Sequence, residues 1–171
     1  FDNPLHGRYN LGLDYDIDKN QSLSGGIRFG IRNFTRTQDQ LTTIVPDITK
    51  QVSFLQNRYI DTKDLSNSID VNVDYIHIYK PQQELSISTQ YSRNDLKNNF
   101  FSDNLTAAGV KESSFKNINL NLNQEGTIQI DYQTPLSTNQ VLEFGGKGIY
   151  RQVNSDFDYL ISPTPNADYV A

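Results

Sequence analysis

Apolar residues recur at every second position through most of this chain, and that period fits a β-strand and not a helix. From Leu5 the odd positions read Leu5, Gly7, Tyr9, Leu11, Leu13, Tyr15 and Ile17, with His6, Arg8, Asn10, Gly12, Asp14 and Asp16 between them. A second run sets Leu23, Gly25, Ile27, Phe29 and Ile31 against Ser24, Gly26, Arg28, Gly30 and Arg32. Their apolar faces coincide only if an odd number of residues links the runs. Asp18-Lys19-Asn20 supplies three, with Asn20 expected in the left-handed conformation such loops use.

Four further runs repeat the pattern. Leu65, Ile69, Val71, Val73 and Tyr75 alternate with Ser68, Asp70, Asn72 and Asp74. Lys80-Pro81-Gln82 then turns the chain into Leu85, Ile87, Thr89 and Tyr91. A long fifth run, Ile118 to Tyr132, alternates with Asn117, Asn119, Asn121, Asn123, Glu125, Thr127, Gln129 and Asp131. A turn around residues 134–139 leads to Leu142, Phe144, Gly146, Gly148 and Tyr150. The expected fold is all-β: an antiparallel up-and-down meander of about six strands, part of a larger transmembrane β-barrel. The strands fall near residues 5–17, 21–34, 58–79, 84–93, 115–133 and 141–151, in a single segment covering 1–171. Long polar loops are expected near 35–57, 94–114 and 152–171. Short turns at one end and long connections at the other are how outer-membrane barrels are built.

Composition removes several alternatives. No apolar run approaches the ~18 residues of a membrane helix, yet a barrel strand, apolar at alternate positions only, is compatible with a mean hydropathy of -0.60. A net charge of -5 gives no basic face for nucleic acid. With no cysteine, disulfides and thiolate metal sites are out. Eighteen Asn and thirteen Gln are a polar excess of the kind found in disordered chains, but many of them alternate with Ile, Leu and Val, which argues against disorder. The chain starts in the middle of a strand pattern without Met, as expected of a piece of a longer protein.

The two parities divide the candidate residues. One face carries Arg8, Asp14, Arg28, Arg32, Asp70, Asp74, Glu143 and Lys147 and reads as a wet lumen. The other carries Tyr15, Tyr75 and Tyr132 near the short turns, and Tyr9, Phe29, Tyr91 and Tyr150 towards the long connections. Aromatics sorted to both ends of an apolar band read as two interfacial girdles against a lipid bilayer. In a soluble β-core they would be ordinary cross-strand pairs.

Catalytic and metal chemistry finds little support. His6 and His77 lie on different strands without an acid at ligand spacing. Asp14-x-Asp16-x-Asp18-x-Asn20 has the acid spacing of a calcium loop, but Lys19 stands where the glycine belongs and Gly25 where the bidentate Glu belongs. Gly145-Gly146-Lys147-Gly148 lacks the spacing of a phosphate loop and reads as strand glycines allowing curvature or close packing. No pair of inward carboxylates is singled out for glycoside hydrolysis. The expectation is no catalysis, no metal and no cofactor.

The stretches Tyr9–Leu23, Ile128–Ser137, Leu142–Lys147 and Ser155–Tyr159 resemble the hairpins of the outer-membrane β-barrel family in TonB-dependent receptors of Bacteroidetes-type bacteria. The resemblance implies a 22-stranded barrel with an N-terminal plug in the bacterial outer membrane. Such a receptor imports a nutrient, a metal chelate, glycan or similar, energised by TonB. Plug and TonB are then partners only of the full-length parent. Ligand contacts would come from residues 35–57 and 94–114, on position alone, and the excised sheet is expected to self-associate through its edges. The alternative is a soluble, secreted all-β ligand- or glycan-binding module that buries the Leu/Ile/Tyr face against itself.

Overall fold

The computed structural model describes residues 2–44 and 54–171. Six strands form one sheet: β1 (Asp2–Asp18), β2 (Gln21–Ile44), β3 (Phe54–Lys80), β4 (Gln83–Leu105), β5 (Lys111–Ser137) and β6 (Gln140–Ser162). They lie side by side in chain order, each antiparallel to the next, and the sheet is open. The expected meander is present.

The three short turns share one construction. Each has two residues at its tip, Lys19-Asn20, Pro81-Gln82 and Thr138-Asn139, and a one-residue bulge just before it. The extra residues are Ile17, Tyr79 and Leu136. Two tip residues plus one bulge make the odd offset that keeps the apolar parity on one face through every hairpin. Asn20 does not take the expected left-handed conformation. Its N–H is instead held by Asp18 Oδ1 at 2.7 Å, a side-chain turn that needs no positive φ. The left-handed residue is Gln82, with φ 63°, after Pro81. Pro followed by a positive φ is the pattern of a type II turn.

The expected long loops are corrected. Residues 35–44 continue β2, 54–57 begin β3, 94–105 continue β4, 111–114 begin β5 and 152–162 continue β6. Of the stretch over 35–57, residues 45–53 lie outside the described residues. The strands reach 27 residues in β3 and β5, against the 9–11 that a tilted strand needs to span a bilayer. The extensions were illegible because their two faces are both polar or mixed, as in Asn33, Thr35, Thr37 against Phe34, Arg36, Gln38. Pairing with the neighbouring strand, not an apolar period, makes them strands. Only residues 106–110 remain a loop between β4 and β5, closed by Thr106 N–H to Val110 O at 2.8 Å with Gly109 at φ 78°. After β6 the chain turns back, and Val170 bridges to Ile161.

This is a sheet without a second layer. No hydrophobic side chain among the described residues is buried, and the buried polar ones are Ser102, Ser114 and Ser162. A soluble β module would need an apolar core closed on itself, and nothing covers Leu11 (75% exposed) or Leu13 (72%).

Candidate functional site

Residues directly opposed in an antiparallel ladder point to the same side, so the register sorts every candidate. On one face, Asp14, Ser24, Asp74, Ser88, Gln129 and Lys147 form a single row across all six strands. Four residues along the strands, beyond the row that begins with Gly12 and Gly26, Asn10, Arg28, Asp70, Ser92, Glu125 and Arg151 form another row. Arg8 opposes Gly30, Arg32 opposes His6, and Glu143 opposes Gln133 beside Glu84. All eight charged candidates therefore share this polar face. Arg28 Nε donates to Asn10 Oδ1 at 3.1 Å, and Arg151 Nε to Glu125 Oε2 at 2.7 Å. The residues around Asn10, Arg28, Asp74 and Lys147 line a shallow concavity of about 500 Å³.

The opposite face is apolar. Three successive rows carry Leu11, Ile27, Val71, Tyr91, Gly126, Tyr150; then Leu13, Gly25, Val73, Thr89, Ile128, Gly148; then Tyr15, Leu23, Tyr75, Ile87, Ile130, Gly146. No charge falls in them. Thr89, the one aliphatic hydroxyl, donates to Val73 O at 3.2 Å, which satisfies it without water.

All seven aromatic candidates lie on this apolar face, in two groups. Towards the short turns, Tyr75 OH donates to Gln21 Oε1 at 2.7 Å. His77 stacks on Tyr79 at 3.9 Å between centroids, Tyr79 meets Tyr132 edge-on at 6.4 Å, and Tyr132 meets Phe144 at 5.4 Å. That makes an aromatic strip with members on β3, β5 and β6. His77, Tyr79 and Phe144 were not among the sequence candidates, although each falls on the same face. Six residues along the strands come Tyr9, Tyr91 and Tyr150, with Phe29 opposite Tyr9. Just beyond them sits Arg93, the first cation on this face of β4, with Nε 3.0 Å from Asp95 Oδ2.

The sequence reading missed apolar residues on the polar face. Phe100 and Phe115 stack at 5.5 Å, Tyr159 lies 6.2 Å from Phe115, and Arg58 sits over Phe115 at 5.7 Å. They lie in the strand extensions, where the alternation that would have exposed them is lost.

An open six-stranded meander with an uncharged apolar band on one face, and two-residue turns joining β1 to β2, β3 to β4 and β5 to β6 at one end, has the form of a wall segment of a membrane β-barrel. The family comparison gives the same class: residues 77–170, more than half of the chain, match the outer membrane protein beta-barrel family. The chain belongs to that family, and its place is the bacterial outer membrane. A search of curated proteins gave no match.

Proposed function

We propose that this chain is barrel wall of a TonB-dependent outer-membrane receptor, a non-catalytic importer of a nutrient such as a metal chelate or glycan. In this reading the apolar face meets lipid and the polar face lines the lumen. The observation that carries the lipid assignment is the band of three uncharged rows held between two aromatic groups. The groups stand six residues apart, roughly 20 Å along a strand; Leu5 to Ile17 on the same face covers roughly 40 Å of strand, which a tilt of about 45° brings to a height near the roughly 25 Å of an outer-membrane apolar band. The receptor reading draws on the hairpin resemblance and on strands that run far past the bilayer, a frame for a large external vestibule. The edges of β1 and β6 would be paired by further strands of a larger barrel, because a spanning sheet with open edges leaves backbone groups unsatisfied in lipid.

Two measurements test it. The chain has no tryptophan, so a single one introduced reports its own surroundings. Trp at Val73 should be blue-shifted and strongly quenched by brominated lipid, while Trp at Ser88 on the polar face should be neither. Equal quenching at both positions would defeat the face assignment. In planar bilayers the full-length protein should show no steady conductance, because a plugged receptor is closed at rest. A steady open channel would make it a porin-like barrel instead.

A further inference from the structure

The polar face is electrically polarised along the strands. Towards the short turns it carries Asp14, Asp16, Asp74, Glu84, Asp131 and Glu143, with Lys147 the opposing charge. Towards the other end it carries Arg8, Arg32, Arg36 and Arg58, with Asp2 opposite Arg36 and Asp64 on β3 as the acids. For a chain of net charge -5, this concentration of guanidinium groups is a local feature and not a consequence of composition.

Its lower edge is built around a glycine. Gly30 has Arg28 and Arg32 two residues away on either side of it in β2, and Arg8 directly opposite on β1. Ser68 opposes it from β3, and a Cβ at Gly30 would stand 2.7 Å from Ser68 Oγ. The bare glycine therefore forms the floor of a depression flanked by Arg8 and Arg32. That depression, about 750 Å³, is lined on the polar side by His6, Arg8, Arg32, Ser66, Ser68 and Ser92, with Asp70 at its rim. Asp70, one of the lining residues, stands opposite Arg28, which lies outside the depression. Arg8 and Arg32 have no acidic residue opposite them: their cross-strand partners are Gly30 on one side, and His6 and Ser66 on the other.

We infer that the depression at Gly30 binds a polyvalent oxyanion, as carboxylate or phosphate groups of the imported ligand. Guanidinium forks match both groups in bidentate geometry, and the serine hydroxyls can donate to the remaining oxygens. The site rests on the reading of the polar face as the lumen, where it would lie at the level of Tyr9 and Phe29. Capture there is followed by an acidic stretch, so the anion is held in the outer half of the wall and not along its whole length.

The test is calorimetric titration of the full chain, folded in detergent, with citrate and inorganic pyrophosphate as probes and maltotriose as the neutral control. One or both anions should bind where maltotriose does not, with affinity falling as salt rises; whichever binds more tightly identifies carboxylate or phosphate as the preferred group. The Arg8→Gln/Arg32→Gln double variant should weaken binding by about tenfold or more, and Gly30→Leu, by filling the floor, should abolish it. Lys147→Gln, in the acidic half, should stay within about twofold. Absence of anion binding in the wild type, or equal losses in the double variant and Lys147→Gln, would overturn the inference. The tryptophan quenching above is run on the same protein reconstituted into brominated lipid. Normal quenching without anion binding rejects this site alone, whereas anion binding without differential quenching rejects the lumen and leaves a surface site.

Discussion

Replacing Val73 by arginine will destabilise the protein in phospholipid vesicles by about 2–4 kcal/mol, the cost of a cation at the bilayer midplane on a barrel's lipid face. Val73 lies in the middle of the three uncharged rows, between Gly25 and Thr89, and is 42% exposed with no second layer to cover it. An arginine there has no acid within the band to pair with and has to reach towards an interface. The chain itself shows where that face first tolerates a cation on β4: at Arg93, beyond Tyr91, bound to Asp95. The control is Ser88→Arg, one residue from Thr89 but on the other face, opposite Asp74 and Gln129. There the new side chain meets an acid and water, and the change should stay within about 0.5 kcal/mol. Urea unfolding midpoints of both variants check the pair. Equal costs would mean that the two faces see the same solvent.

The register was legible in the sequence for a simple reason. Once Leu11 and Ile27 are assigned to one face, the turn must reflect the chain about residue 19, and reflection sets Arg8 against Gly30 and Asn10 against Arg28, as the structure has them. The eight charged and seven aromatic candidates followed from parity alone. The means of turning did not: the odd offset arises from a two-residue tip plus a bulge at Ile17, Tyr79 or Leu136, and a bulge has no signature of its own. The strand extensions were also hidden, since a strand wet on both faces has no hydrophobic period to read. With them went Phe100, Phe115 and Tyr159. The arginine pair at Gly30 lay between these cases. Its members were named individually, and only the cross-strand register joins Arg8 to Arg32 across Gly30.

The same ladder logic makes the glycines of β5 and β6 unequal, and Gly145→Val should be the most damaging change among them. A Cβ at Gly145 would stand 2.6 Å from the carbonyl oxygen of Ile130 as well as against the Asp131 side chain. Asp131 can rotate away, since its carboxylate accepts from the flexible side chain of Gln129, with Nε2 at 2.6 Å. The Ile130 carbonyl belongs to the β5 backbone and cannot move without parting β5 from β6, where Asp131 opposes Gly145 and Ile130 opposes Gly146. Relief therefore has to come from opening the ladder near the Thr138-Asn139 turn, at a cost of about 1–3 kcal/mol for an overpacked site. Gly126 and Gly146 have open space where a Cβ would go, and both lie on the apolar face, so valine there should be neutral or gain lipid contact. Hydrogen exchange in vesicles separates the outcomes. Gly145→Val should raise exchange at the amides of residues 129–133 and 143–147, and Gly146→Val should leave them protected. Unchanged protection in Gly145→Val would show that the close approach at Ile130 is relieved by side-chain rotation alone.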